Sequence, residues 1–297
     1  MRAVIEAIRR AAPAARLRRP SSIALAADGG RRALEATGDA ERIDLVVNVG
    51  VYRDQNICEP ALAPLIQSRL GALGRRKDVF SFDLTNGACG LLDAFQVVDS
   101  LMAAGSVRRA LVVASDVDPN PGRSTDLVVG AAGVGVVLAA REGSEGFHDF
   151  HTETFPKHAH LYESRLEWLG PARSRWFGRS PGHAITLRAM DAYGERCAES
   201  AALAAARFLE ARGLSPEDLD LVVVPELPAG LPDRLGMLLG IPQDRLASDP
   251  DSADTCSAAP GLALEAAFAS GRMAGARRTL LVAAGAGITV SLALYGR

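Results

Sequence analysis

One series of motifs occurs twice along this chain of 297 residues, and the two copies lie about 170 residues apart. Each copy begins with a short β-branched run, at residues 43–51 and 219–225, and continues through a helix into a short strand and an elbow. Each elbow opens a second helix that ends at a glycine and two arginines, and a further apolar run follows. The common order of the matches favours an internal duplication over a chance similarity between two ordinary strand–helix units.

The duplication predicts how the chain is organised. Apolar runs that alternate with helices are typical of a largely parallel sheet with both faces covered. We expect an N-terminal half over residues 1–140, a C-terminal half over residues 184–297 and an irregular connecting segment over residues 141–183. The connecting segment contains all five histidines and both tryptophans. Its poor hydrophobic periodicity predicts a surface position, and the uneven histidine spacing favours solvated side chains over a metal site.

Charge and cysteine content argue against several classes of protein. A net charge of -2 and a pI near 6.2 argue against nucleic acid as the main partner. The four cysteines are Cys58, Cys89, Cys197 and Cys256. They have no C-x-x-C spacing, so we expect free thiols rather than a disulfide framework or a zinc site. Apart from Cys89, the cysteines are predicted to be small buried residues.

The N-terminus gives no clear structural signal. Its first 22 residues are basic and rich in alanine, but they lack the unbroken apolar stretch of a secretory signal. The chain nowhere has the roughly 18 consecutive apolar residues of a membrane span. No clear strand precedes the run at residues 43–51. We therefore expect a soluble cytoplasmic protein whose first strand is that run.

Cys89 lies at the first elbow, in the stretch "SFDLTNGACG", where an extended run turns into a helix. A thiol at a helix N-terminus meets unpaired amide groups and the positive end of the helix dipole, and both favour the thiolate. The same amides could bind the oxyanion of a thioester under attack. A base or proton donor would come from the other half, at the end of "LVVVPEL" or in the turn "SADTCSAAP".

Several stretches resemble the thiolase superfamily, specifically β-ketoacyl synthase III and its acyl-CoA-condensing relatives, in the family's order and spacing. They are "DLTNGACGLL", "GSVRRALVVASDVDP", "TDLVVGAAGVGVVLAA", "DLVVVPE", "SADTCSAAPG" and "GRMAGARRTLLVAAGAGITVSLALYGR". The resemblance covers nearly the whole chain. It implies an α/β protein with the duplicated thiolase fold, in which two similar βαβαβ halves form five layers in the order αβαβα. It also implies a coenzyme A or acyl-carrier-protein thioester as substrate, no tightly bound cofactor and no metal.

Active members of that family use a Cys-His-Asn triad, and this chain departs from the triad at all three positions. Aligned without a gap, the nucleophile position falls on Ala88, and only an insertion at Gly87 would bring Cys89 there. One residue is about 100° of helix rotation, so Cys89 is expected to point into packing instead of the substrate tunnel. The histidine position holds Glu226, and the asparagine position holds Asp254. An ionised carboxylate cannot donate a proton to a thioester oxygen, so the resemblance implies a degenerate active site.

The stretch "GVYRDQNICEPA" resembles a block of the olefin-type, non-decarboxylating branch that contains a Tyr-Arg pair and a Glu-Pro-Ala motif. In that branch the glutamate crosses the dimer interface and removes the α-proton of one acyl chain for Claisen condensation. Glu59 matches this glutamate, and Arg53 matches the arginine. The alternative for Glu59 is a carboxylate in the first turn of a helix, where the helix dipole stabilises it.

Two glycine-rich stretches complete the candidate residues. "GAAGVG" at residues 130–135 lacks the spacing of a dinucleotide-binding loop, and tight packing between a strand and a helix is its predicted role. Gly285 and Gly287 match the family's glycine-rich turn near the oxyanion hole. The resemblance therefore assigns them to the substrate region.

These features favour a catalytically incomplete subunit. It would form a heterodimer or heterotetramer with an intact synthase III-like chain and be active as an acyltransferase only in that complex. There it would supply Glu59 to the partner's active site for Claisen condensation of two acyl thioesters, in fatty-acyl or secondary-metabolite biosynthesis. Two alternatives remain open. One is a self-sufficient acyltransferase that uses Cys89, and the other is a non-catalytic structural or chain-length subunit.

Overall fold

The computed structural model describes residues 1–12, 20–38, 42–54, 59–120, 129–168, 183–252 and 255–297. The strands of the N-terminal half are β1 (Arg2–Arg10), β2 (Leu45–Asn48), β3 (Phe80–Asp83), β4 (Arg109–Asp116) and β5 (Ala132–Arg141). The later strands are β6 (Gly146–Thr154), β7 (Tyr162–Trp168), β8 (His183–Ala189), β9 (Leu221–Val223), β10 (Leu246–Ala247), β11 (Arg278–Gly285) and β12 (Thr289–Gly296). The α-helices are α1 (Ser22–Thr37), α2 (Leu62–Gln67), α3 (Gly90–Ala103), α4 (Tyr193–Glu210), α5 (Leu231–Leu239), α6 (Ala259–Ala269) and α7 (Arg272–Gly275).

Two five-stranded sheets repeat one topology. The first has the order β1-β5-β4-β2-β3, and the second has the equivalent order β6-β12-β11-β9-β10. In both sheets the first three strands in this order are antiparallel neighbours and the last three are parallel. The predicted duplication is confirmed. Strands β7 and β8 form a separate antiparallel ribbon.

The repeated arginine pair has the same structural role in both halves. The Asp44 carboxylate accepts hydrogen bonds from the backbone amides of Arg108 and Arg109, at 2.8 and 3.1 Å. The Asp220 carboxylate accepts two equivalent bonds from the amides at residues 277–278, both at 2.9 Å. Asp44 precedes β2 and fixes the turn into the neighbouring strand β4, and Asp220 precedes β9 and fixes the turn into the neighbouring strand β11. The motif therefore stabilises the amino ends of the strands.

The helices divide the molecule into five layers. Helices α1 and α2 cover the outer face of the first sheet, and α4 and α5 cover the outer face of the second. Helices α3 and α6 lie between the sheets and contact both of them. The largest buried apolar cluster fills this middle layer, with side chains from both halves. The predicted αβαβα arrangement is confirmed.

The glycine-rich stretch at residues 130–135 provides close packing between a helix and a sheet, as predicted. A Cβ atom at Gly135 would lie 2.6 Å from the backbone of Gly29 in α1. A Cβ at Gly133 would lie 2.7 Å from the backbone of Leu25 in the same helix. Only glycine lets α1 approach β5 to this distance.

The expectation that no strand precedes residues 43–51 is wrong. Strand β1 pairs with β5 along its whole length and forms an edge of the first sheet. A register shift between Ile5 and Ala7 interrupts the alternation of apolar and polar residues that would reveal a strand. The intervening Glu6 is ion-paired with Arg109 and Arg141, at 2.7 and 2.6 Å. The charged residues of β1 thus belong to an edge strand.

The prediction of an irregular segment over residues 141–183 is wrong for the part that forms β6. This strand pairs with β12 at the edge of the second sheet. Its apolar side chains face the middle layer, where the rings of Phe147 and Phe95 lie 5.3 Å apart.

The described residues contain no group of three or more His, Cys, Asp or Glu side chains suited to a metal ion. No helix in the described ranges is long and apolar enough to cross a membrane.

Candidate functional site

A cavity of about 420 Å³ lies between the two halves. Its walls come from the segments that follow β2, β3, β9 and β11, from the turn before α6, and from the β7–β8 ribbon. In parallel α/β sheets, ligands bind at the carboxyl ends of the strands, and this cavity has that position. We take it as the candidate functional site.

Ala88 forms part of the cavity wall. Gly87 turns the chain out of the segment after β3 with a φ of 52°, which favours glycine, and residues 87–89 then lead into α3. A Cβ atom at Gly285, which also lines the cavity, would lie 3.6 Å from the Ala88 methyl. The residue at the predicted nucleophile position therefore offers a methyl group to the cavity.

Cys89 points away from the cavity. Its side chain is 1 % exposed, and it is not among the lining residues. The thiol donates to the carbonyl oxygen of Thr289 at 3.3 Å, and the carbonyl oxygen of Ala283 lies 3.7 Å from Sγ. Burial raises the pKa of this thiol to about 12. Cys89 is thus a protonated packing residue that joins the elbow to the second sheet.

The described part of the predicted triad contains no base that reaches the cavity. Glu226 accepts hydrogen bonds from the backbone amide of Gly230 and the hydroxyl of Ser248, both at 3.2 Å. These bonds hold its carboxylate in the turn before α5, and the next residue, Leu227, lines the cavity instead. Asp254 lies outside the described residues. Gly285 lines the cavity, whereas Gly287 has a φ of 111° in the turn after β11 and does not line it.

Three tyrosines and a cysteine line the cavity where a triad would be expected. The hydroxyls of Tyr52 and Tyr162 lie 3.4 Å apart, and the rings of Tyr162 and Tyr193 are 5.1 Å apart. Cys256 is partly exposed at this wall, so its predicted burial is wrong, whereas Cys197 is buried as predicted. Cys58, the third cysteine predicted to be buried, lies outside the described residues. Burial raises the pKa of Tyr52, Tyr193 and Cys256, so these groups are neutral at physiological pH.

Sequence reasoning missed the three tyrosines. Tyr52 lies in the stretch "GVYRDQNICEPA", whose resemblance to a family block pointed to Glu59 and could also have pointed to this tyrosine. Tyr162 lies in the polar connecting segment, which gave no reason to single it out. Tyr193 is the first residue of α4, where an aromatic residue is usually a packing residue. Only the tertiary structure brings the three rings to one cavity.

Asp116, the last residue of β4, joins the cavity walls of the two halves. Its carboxylate is fully buried and accepts four hydrogen bonds. The donors are the backbone amides of Tyr52 (3.4 Å), Cys256 (3.0 Å) and Ala258 (2.9 Å) and the Ser257 hydroxyl (2.9 Å). Burial raises the pKa of Asp116, while the hydrogen bonds act in the opposite direction. The residue therefore fixes both sides of the cavity.

Glu59 lies on the surface and not in this cavity. It is exposed and precedes α2, whose first two backbone amides, at Leu62 and Ala63, donate to the Asp83 carboxylate at 2.9 and 2.8 Å. The mostly buried guanidinium of Arg53 lies 3.4 Å from the same carboxylate. Asp83 is the last residue of β3, so the Glu59 turn is held at the carboxyl end of that strand.

Strand β3 is an edge of the first sheet. Among the described residues it pairs only with β2, and its other side has no strand neighbour. Phe80, the first residue of β3, is 62 % exposed. An unpaired edge with an exposed aromatic side chain is suited to pairing with another chain. Glu59 thus lies beside a surface that can form an interface.

Comparison with protein families identifies two matching regions. The description "3-Oxoacyl-[acyl-carrier-protein (ACP)] synthase III" matches residues 82–156, and its C-terminal counterpart matches residues 209–296. The β-ketoacyl-[acyl-carrier-protein] synthase III of Xanthomonas campestris pv. campestris is 30% identical over 274 residues, which cover 89% of this chain and 79% of that protein. The corresponding synthase of Sphingopyxis alaskensis is 28% identical over 272 residues, covering 89% and 80%.

Solved structures show the same fold. The 3-oxoacyl-(acyl carrier protein) synthase III of Pseudomonas aeruginosa PAO1 matches with a TM-score of 0.78 and 25% identity, covering 100% of this chain and 98% of that chain. OleA of Xanthomonas campestris, crystallised with lauric acid and lauroyl-CoA, matches with a TM-score of 0.78 and 16% identity, covering 100% and 99%. At that identity the likeness to OleA concerns the fold alone. The duplicated thiolase fold is confirmed.

Proposed function

Because the chain belongs to the 3-oxoacyl-[acyl-carrier-protein] synthase III family, we propose that it is one subunit of a two-chain condensing enzyme for acyl thioesters. In this enzyme an intact synthase III-like partner supplies the nucleophilic cysteine, and the present chain supplies Glu59. The observation that carries the proposal is the cavity wall at Ala88, where a methyl group stands at the predicted nucleophile position. A methyl group cannot form an acyl-enzyme intermediate.

Cys89 is not a substitute nucleophile. With a pKa of about 12, its thiolate fraction at pH 7 is on the order of 10⁻⁵. Its thiol is held by backbone carbonyls, which stabilise the protonated form and not the thiolate. The family's thioester chemistry therefore requires a second chain.

Glu59 is suited to act as a base across the interface. Pairing of the β3 edge with the partner would bring the neighbouring Glu59 turn to the partner's surface. In the complex, the Glu59 carboxylate takes the α-proton of one acyl thioester. The resulting enolate carbon attacks the acyl group on the partner's cysteine, a carbon–carbon bond forms, and the cysteine thiolate leaves.

The substrates and setting follow from the family. We assign coenzyme A or acyl-carrier-protein thioesters as the acyl donors, with no tightly bound cofactor. Claisen condensation of two such acyl groups belongs to fatty-acyl or secondary-metabolite biosynthesis in the cytoplasm. The partner is a synthase III-like subunit with an intact Cys-His-Asn triad, in a heterodimer or heterotetramer.

The first test uses the isolated chain. Intact-protein mass spectrometry after incubation with octanoyl-CoA is expected to detect no covalent octanoyl group. A stoichiometric adduct that is present in the wild type and lost in Cys89→Ser would overturn the proposal. It would instead identify a self-sufficient acyltransferase.

The second test uses the complex with an intact synthase III-like subunit from the same genome. Glu59→Ala is expected to lower the condensation rate by about 10²–10⁴-fold, the range typical of a lost general base. The control is Glu35→Ala on the exposed face of α1, which should leave the rate unchanged. If Glu59→Ala forms the complex and condenses at the wild-type rate, the chain is a structural or chain-length subunit.

A further inference from the structure

We propose that the cavity of this chain binds an uncharged, mainly apolar ligand reversibly, and that the bound ligand positions the segment carrying Glu59. The ligand class is a molecule with an apolar body and one carbonyl or hydroxyl group. The regulatory half of this inference rests on the proposed role of Glu59, whereas the binding half does not.

The walls of the cavity select a neutral ligand. No Asp, Glu, Lys, Arg or His side chain is among the described residues that line it. Most of the surface is aliphatic or aromatic, and the paired hydroxyls of Tyr52 and Tyr162 can bond one polar group. Its volume of about 420 Å³ lies within the range of roughly 300–1,000 Å³ that is usual for small-molecule sites. A carboxylate in such a cavity would lose water without gaining a cationic partner among these described lining residues.

The same walls favour reversible binding. Ala88 offers only a methyl group, and the Cys89 thiol points away from the cavity. Burial, together with the neighbouring Asp116 carboxylate, raises the pKa of the Cys256 thiol and so disfavours its nucleophilic form. A bound acyl compound therefore meets no thiolate among the lining residues that the structure describes.

Tyr52 connects the cavity to Glu59. Its ring lines the cavity. Its backbone amide donates a hydrogen bond to the Asp116 carboxylate at the end of β4, and its carbonyl accepts a 3.1 Å hydrogen bond from the Val117 amide. The next residue, Arg53, donates to the Gly50 carbonyl at 3.0 Å and approaches Asp83.

Asp83 holds the other end of the segment, at the start of α2. Glu59 therefore lies between two anchors, and the first of them is part of the cavity wall. A ligand that packs against Tyr52 and binds better to one position of this segment shifts the segment toward that position. The coupling runs from Tyr52 through Arg53 to the Asp83 carboxylate and the first amides of α2, which follow Glu59, and it can be tested directly.

Binding is measured on the isolated chain by titration calorimetry at pH 8, with 2-decanone as the neutral probe and decanoate as its charged counterpart. We expect one 2-decanone per chain and at least tenfold weaker binding of decanoate. Leu187→Trp, which fills the cavity from β8, should weaken 2-decanone binding at least tenfold. The matched control is Thr186→Trp, on the adjacent residue that does not line the cavity, which should bind as the wild type does. Both variants are first checked for a wild-type thermal melt.

Coupling is measured by hydrogen exchange and mass spectrometry on the same isolated chain. Saturating 2-decanone should slow exchange at least threefold at the amides of Leu62 and Ala63, and it should leave residues 203–210 of α4 unchanged. Binding without this protection would overturn the coupling to Glu59. Absence of 2-decanone binding, or equal affinity for decanoate, would overturn the site itself. Neither result affects the role of Glu59, which the condensation assay with Glu59→Ala tests separately.

Discussion

At the scale of single residues, the site is defined by two consecutive side chains with opposite environments. The Ala88 methyl lines the cavity, and the Cys89 thiol is buried against the backbone of the second sheet. Residues 87–89 form a 3₁₀ turn, which rotates about 120° per residue, so a shift of one position is enough to exchange a nucleophile for a packing contact. This is the orientation that the ungapped register of "DLTNGACG" predicts.

The buried Cys89 thiol gives a prediction about stability at alkaline pH. Its pKa is 9.0 without the fold and about 12 in the fold, because burial disfavours the thiolate. As the pH rises, the unfolded chain loses this proton first, so ionisation favours unfolding, and stability is lost between pH 9 and 12. The loss from this residue should be about 1.4 kcal/mol between pH 7 and pH 10.

Urea denaturation at pH 7, 8, 9 and 10 measures this effect in the wild type and in Cys89→Ala. Other alkaline groups titrate equally in both proteins, so the difference between their unfolding free energies isolates Cys89. The wild type should lose its advantage over the variant by about 1.4 kcal/mol at pH 10. If the difference between the two unfolding free energies stays constant from pH 7 to pH 10, the fold does not raise the pKa of the Cys89 thiol.

At the scale of elements, the sequence predicted the parallel strands and missed both antiparallel edges. Strands β2 and β4 are continuous apolar runs because both of their faces are buried, and such runs are visible in sequence. Edge strands β1 and β6 carry charged or polar residues on one side, and each has a register shift. Strand β1 pairs with β5, which lies far away in the sequence, so no local pattern could reveal this antiparallel pairing.

The candidate site was predictable in part for the same reason. The elbow and the Glu59 turn have local motifs, and the sequence located both of them. The position of Glu226 depends on Ser248, which is 22 residues away, and the tyrosine cluster depends on contacts over more than 100 residues. Contacts of this separation leave no periodicity in the sequence.

The exposed edge β3 gives a prediction about assembly. Phe80 is 62 % exposed, so Phe80→Glu should fold normally but place a charge at the interface that we propose for the partner. We expect the variant to keep the wild-type melting temperature and to lose at least tenfold in affinity for the intact synthase III-like subunit. The control is Leu166→Glu in β7, which is 65 % exposed and should bind as the wild type does.

Analytical ultracentrifugation of each variant mixed with the partner measures this affinity. Equal binding by Phe80→Glu and the wild type would exclude β3 from the interface and leave Glu59 without a route to the partner's site. Weakened binding by both variants would place the ribbon at the interface together with β3.

At the scale of the whole molecule, the two halves form one folding unit. The middle layer is built from α3 of the first half and α6 of the second, and its apolar cluster includes strands of both sheets. The halves are also joined by polar bonds, since Cys89 reaches β12 and Asp116 binds the turn before α6. Separating the halves would expose the largest apolar surface in the molecule, so neither half should be stable alone.

This arrangement predicts a single cooperative unfolding transition, with a calorimetric enthalpy close to the van't Hoff enthalpy. Asp116→Asn tests the polar link, because an amide cannot accept all four hydrogen bonds that the carboxylate accepts. It should cost about 2–4 kcal/mol and lower the melting temperature of the one transition without splitting it. The exposed neighbour Asp118 provides the control, and Asp118→Asn should change stability by less than about 0.5 kcal/mol. Two resolved transitions in the wild type, one for each half, would contradict the single folding unit, because the shared middle layer could not then be what stabilises both sheets.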